Sequence, residues 1–166
     1  MERDLYGFGG WLILFSIGLD ILTPLVEIAS VYPMLFGAES IFFEAQIENW
    51  SLFRAIFTLF VAGEIALFTY TCYRLINVYN PETVRITRIV IWVSALVLPA
   101  LGIFILAQFL GMPFGDLFAA SYEESPFELI RPLIWAGIWT AYFSMSERVR
   151  QTYLESRDGE TEEVFT

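Results

Sequence analysis

Apolar residues fall into four long runs, each able to cross roughly 30 Å of hydrocarbon as a helix of about 20 residues. They cover residues 11–36, 52–78, 86–111 and 127–143. The third is the cleanest, with no charge between Ile89 and Gly115, whereas the first carries Asp20 and Glu27 and the second carries Glu64. Asn80-Pro81-Glu82 predicts a break between the second and third runs, because proline removes a helix donor and follows a turn former. Ser125-Pro126-Phe127-Glu128 has the order of an N-cap, an N1 proline and an N3 acid, and predicts the start of the fourth run, with a start at Arg131-Pro132 after a short turn as the alternative.

Composition agrees with a lipid setting. In 166 residues, 57% are hydrophobic and 17% charged, too oily for an ordinary water-soluble domain. The net charge of -10 repels nucleic acid and leaves no polybasic surface for phosphate-rich partners. There is no histidine and a single cysteine, Cys72, which excludes His-dependent triads, the usual zinc sets and an internal disulfide. The expectation is therefore a protein that is not an enzyme and holds no cofactor or metal.

Arginine placement predicts orientation, since positive residues are retained on the cytoplasmic side. Arg3, Arg74, Arg85, Arg88, Arg148, Arg150 and Arg157 flank one end of the runs, against Arg54 and Arg131 at the other. The expected fold is an all-α integral membrane four-helix bundle with antiparallel up-down topology and both termini cytoplasmic. Residues 1–150 form its transmembrane domain, and 151–166 an acidic tail. The first and third connections are expected outside.

The costly residues are those within the runs. Ser16, Asp20, Thr23, Glu27 and Ser30 recur at helical spacing and form one polar stripe, which should turn away from lipid. Counted along the helices, Glu27 falls near the outer edge, where Arg131 or Arg54 could pair with it, Arg131 being preferred. Asp20 and Glu64 fall in one layer without a basic neighbour, so one or both should be neutral. They would serve as a proton or cation relay, or as hydrogen-bonded links between helices. The aromatic side of the fourth run, Trp135, Trp139 and Tyr142, reads as packing.

Gly9, Gly10 and Trp11 open the first run, while Arg131, Trp139, Tyr142, Ser146, Arg148, Val149 and Thr152 lie along and just past the fourth. In these positions the chain resembles a YdgK-like family of uncharacterised small bacterial inner-membrane proteins. The resemblance implies four spans, a cytoplasmic-membrane location and no assigned activity. The leading functional expectation is a non-enzymatic accessory, scaffold or regulatory subunit of a membrane partner, held in the bilayer or as a homo-oligomer. The alternative is a small transporter or proton-coupled channel that uses the intramembrane carboxylates.

Overall fold

The computed structural model describes residues 8–123 and 125–154. Among these there is no strand, and the fold is built from helices alone. Helix α1 spans Trp11–Phe36, α3 Trp50–Asn77 and α4 Pro81–Leu110, and these three are long and apolar enough to cross a membrane. Helix α6, Phe127–Met145, is the fourth long element. Two short helices fill the far connections, α2 at Ser40–Gln46 and α5 at Phe114–Glu123. A closing helix α7 covers residues 147–154.

The start of α6 at Phe127 is where the sequence places it, yet the expected capping box does not form. Ser125 contributes its backbone carbonyl to Glu128 N–H, and the Glu128 carboxylate turns to Arg131 instead. Helix α4 starts at Pro81, five residues before its expected start. The Asn80 side chain accepts from Thr83 N–H at 2.9 Å, and Pro81 occupies the first turn, where its missing N–H costs nothing.

One buried cluster joins all four long helices. It contains Leu12, Phe15 and Leu19 of α1, Phe68, Cys72 and Leu75 of α3, Val90, Ile91 and Ala95 of α4, and Ala136 and Phe143 of α6. Val149 and Tyr153 of α7 complete it. This core lies toward the terminal end, where α1 begins, α3 ends, α4 begins and α6 ends. Gln151–Leu154, expected in the tail, thus belong to the packed domain, because Thr152 and Tyr153 are buried. Residues 155–166 of that tail, like Arg3 and Arg157, lie outside the described residues.

A second cluster, Leu35, Ile47, Trp50 and Phe53 backed by Phe57 and Phe109, closes the opposite, loop end. Helix length explains why it exists. At about 1.5 Å per residue, the 26, 28 and 30 residues of α1, α3 and α4 extend roughly 39, 42 and 45 Å. Each exceeds a hydrocarbon layer of about 30 Å. The 19 residues of α6 extend only about 28 Å. Three helices therefore project past the fourth, and their projecting ends pack on α2.

Candidate functional site

Prolines shape the polar stretch of α1. The backbone changes to a π turn at Gly18–Leu22, where Thr23 N–H donates to the Gly18 carbonyl, and Pro24 follows two residues after the turn. Helix α4 repeats the arrangement: a π turn at Val93–Val97, Leu98 N–H donating to Val93, then Pro99. A proline ring within a helix displaces the carbonyl behind it, and widening one turn accommodates this. Asp20 sits inside the first π turn and Ser94 inside the second.

The stripe on α1 divides by partner. Ser16 is buried, and its carbonyl accepts from Cys72 Sγ at 3.8 Å. Asp20 Oδ1 accepts from Thr69 Oγ1 at 2.8 Å. Thr23 and Ser30 donate to carbonyls of their own helix, Gly18 and Glu27, both at 2.8 Å. Glu27 meets the Glu64 carboxyl within hydrogen-bonding reach. Farther on, the Arg54 guanidinium lies 5.5 Å from the Phe36 ring centre. These pairs run in step and define the antiparallel register of α1 against α3: 16 with 72, 20 with 69, 27 with 64, 36 with 54.

That register corrects both expected carboxylate partnerships. Glu27 faces Glu64, and Arg131 pairs with Glu128 one turn behind it at 2.9 Å. Arg54 lies nine residues beyond the Glu27 level, against Phe36. Asp20 belongs to Thr69 and not to the Glu64 layer. The difference has a physical source. Counting depth from the inner end on one helix and from the outer end on the other treats each helix as one bilayer long. Because α3 overshoots, Glu64 lies nearer the loop end of α1 than that count allows.

Two cavities meet at Glu64. One, of about 290 Å³, is lined by all four long helices, including Thr23, Glu64, Phe68, Ser94, Arg131 and Trp135. The other, of about 300 Å³, lies between α1, α3 and α4 and includes Glu27, Ser30, Phe60, Glu64, Pro99 and Gly102. Glu64 is half-buried and shared by both. Arg131, expected at the outer edge, thus reaches the cavity that holds Glu64, because α6 begins below the projecting ends of α3 and α4. Nothing in the sequence singles out Ser94 or Thr69; Ser94 is an isolated hydroxyl in an apolar run, Thr69 is one of several in Thr69-Tyr70-Thr71, and only the register reveals the role of each.

Of the residues that carry the family resemblance, Arg131 lies at the Glu64 cavity, and the opening glycines and the closing segment meet at the terminal end. A Cβ on Gly9 would stand 2.5 Å from Arg148 Nη1, and Gly10 adopts φ 57°, a conformation open mainly to glycine. Ser146 N–H donates to the Tyr142 carbonyl, and α7 begins directly after it. Val149 and Thr152 are buried, and the Tyr153 hydroxyl donates to the Leu75 carbonyl near the end of α3. Burial pushes the Tyr153 phenol above its ordinary range. Trp139 packs on Phe15 with ring centres 4.6 Å apart and meets Tyr142 edge-on at 5.6 Å. Trp11 is exposed.

The family model of a protein of unknown function, DUF2569, matches residues 5–154. The chain belongs to this DUF2569 family. The match ends with Leu154, the last residue of α7, so the family unit includes the closing helix and both ends of the Gly9–Arg148 contact. No curated protein and no solved structure matches the chain.

Proposed function

We propose that this DUF2569 protein is a non-enzymatic, multi-pass protein of a bacterial inner membrane that binds and passes a small cation, the proton included, through the cavities around Glu64. The observation that carries the reading is the central cavity lined by all four long helices, with Glu64 shared between it and the cavity that holds Glu27. Two facing carboxylates repel, and a proton or a cation between them relieves that repulsion. Arg131 is already held by Glu128, which leaves Glu64, facing Glu27, as the carboxyl of the central cavity without a basic partner among the described residues.

Four crossings with cytoplasmic termini fit the same observations. Helix α6 is about as long as the hydrocarbon layer is thick, and its one arginine is neutralised within the helix. Arg74, Arg85, Arg88, Arg148 and Arg150 gather at the terminal end, as retention of positive charge on the cytoplasmic side requires. The resemblance to YdgK-like proteins supports the same membrane. The accessory role expected from the sequence draws on missing catalytic groups; a cavity with a carboxylate pair is a positive feature and turns the reading toward cation passage.

Proteoliposomes containing the full chain and a pH-sensitive dye, under imposed proton or monovalent-cation gradients, test this. Wild-type protein should dissipate at least one gradient faster than protein-free vesicles, and Glu64→Gln should remove most of that excess. Equal rates for wild-type and empty vesicles with every cation tried would end the proposal.

A further inference from the structure

Three arginines of the described residues satisfy themselves with carboxylates: Arg74 with Glu82, Arg131 with Glu128 and Arg150 with Glu147. Arg88 does not. It is half-buried at the seam between α4 and α6, and among the described residues no carboxylate lies within ion-pair distance of it. Its single polar contact among the described residues is long: Nη1 donates to Ser144 Oγ at 3.5 Å. Its Nε is buried and has no acceptor.

The opposite side of the seam also offers a donor without an anion. Thr140 Oγ1 is buried and makes no hydrogen bond. Ser144 Oγ gives its proton to the Thr140 carbonyl at 2.7 Å, so it meets Arg88 only as an acceptor. Arg85 is exposed one turn nearer the start of α4 and adds a second positive charge on the same side. Among the described residues, a guanidinium with five donors has a single long bond, and Thr140, one turn before Ser144 on α6, has none; chemically this seam lacks an acceptor.

Position names the acceptor. Arg88 lies seven residues past Pro81, about 10 Å along α4 from the terminal end. Trp92, one turn deeper, is exposed on the surface of a membrane-crossing helix, as tryptophans at the boundary of the hydrocarbon commonly are. This is the depth of lipid phosphates. A phosphate offers several oxygens to a planar guanidinium and accepts from hydroxyls as well, and basic seams between crossing helices recognise anionic head groups.

We infer that the α4–α6 seam binds the phosphate group of an anionic phospholipid, with the Arg88 Nη groups as its principal ligand and Arg85 assisting. Five arginines gather at this end, so non-specific attraction is separated from the site by comparing Arg88 with Arg150, which Glu147 already holds. The site stands apart from the Glu64 cavities, and its test does not depend on cation passage.

The full chain is placed in nanodiscs of phosphatidylcholine alone or with added phosphatidylglycerol, and thermal unfolding is followed in each. Phosphatidylglycerol should raise the Tm of the wild-type protein by about 2–4 °C. Arg88→Gln should lose that rise while unfolding normally in phosphatidylcholine. Arg150→Gln, which removes a guanidinium already held by Glu147, should keep it. Should Arg88→Gln fail to fold, native mass spectrometry of the wild-type protein takes its place: retention of phosphatidylglycerol over phosphatidylcholine is expected, and equal retention of the two would overturn the site. Inorganic phosphate added to phosphatidylcholine discs distinguishes a free anion from a lipid. A rise with inorganic phosphate but none with phosphatidylglycerol would overturn the lipid assignment, and an equal rise in wild-type and Arg88→Gln would overturn the role of Arg88.

Discussion

At the terminal end, the Phe15 ring is enclosed by Trp135, Trp139 and Phe143, and the Tyr153 hydroxyl is spent on a backbone carbonyl. Farther toward the loop end, the same helices leave half-open cavities of about 290 and 300 Å³ between them, with two carboxyl groups facing each other. The difference follows from side-chain volume. Where α6 supplies large aromatics, the space between the helices is filled; where it supplies Arg131 and Pro132, it is not. The prolines of α1 and α4, with their π turns, further loosen the packing at that level. The terminal level holds the helices together, and the Glu64 level, between it and the second packed cluster, leaves room among them.

The largest effect should come from emptying the packed end. Phe15→Ala removes a fully enclosed ring, and a loss of about 3–5 kcal/mol in chemical or thermal unfolding is expected. Tyr153→Phe keeps the ring but strands the Leu75 carbonyl, at a cost of about 1–3 kcal/mol. Gly10→Ala forces a side chain into a backbone region that disfavours it, at about 1–3 kcal/mol. Gly9→Ala should cost less, because the obstacle is the mobile tip of Arg148.

Alkaline titration reads the same packed end by charge. Burial raises the folded-state pKa of Tyr153 above its unfolded value of about 10, so the fold disfavours the phenolate. The associated stability is present in full below about pH 10 and is lost as pH rises above it. Tyr153→Phe should flatten this part of the stability profile relative to wild-type. An unchanged profile would show that the phenol ionises without unfolding the chain.

The smallest stability effects belong to the cavity level. Glu64→Gln and Glu27→Gln should each shift stability by less than about 1 kcal/mol, since each removes a like-charge contact while leaving room for water. Their effects should not add, whereas those of Glu27→Gln and Arg131→Gln should. Additivity in the first pair together with coupling in the second would restore the ion pair expected from sequence.

Much of this fold is legible in the sequence, and a definable part is not. Long apolar runs and the Pro126 signal locate all four long helices, since burial of backbone groups in lipid leaves little alternative to helix. The polar stripe on α1 is readable because residues three and four apart share a face. Which residue each stripe member meets is not readable, because register depends on how far α3 overshoots, and overshoot depends on α2 and α5. Those short helices have too few apolar residues to register as spans. Pro24 and Pro99 announce disturbance in their helices, but whether a proline gives a kink or a π turn is settled by packing. The opening glycines and the closing Arg148–Thr152 segment look like separate end signals; their contact is a long-range fact absent from either segment alone.

Cysteine accessibility tests the contrast between the two levels most directly. The only native cysteine, Cys72, is buried, so a Cys72→Ala background can carry one reporter at a time. With the chain in lipid vesicles, Ser94→Cys at the central cavity should react with a small, charged, water-soluble thiol reagent, and Ala136→Cys in the packed core should not. Protection of Ser94→Cys to the same degree as Ala136→Cys would mean that no water reaches the cavity beside Glu64, and the central claim would fail.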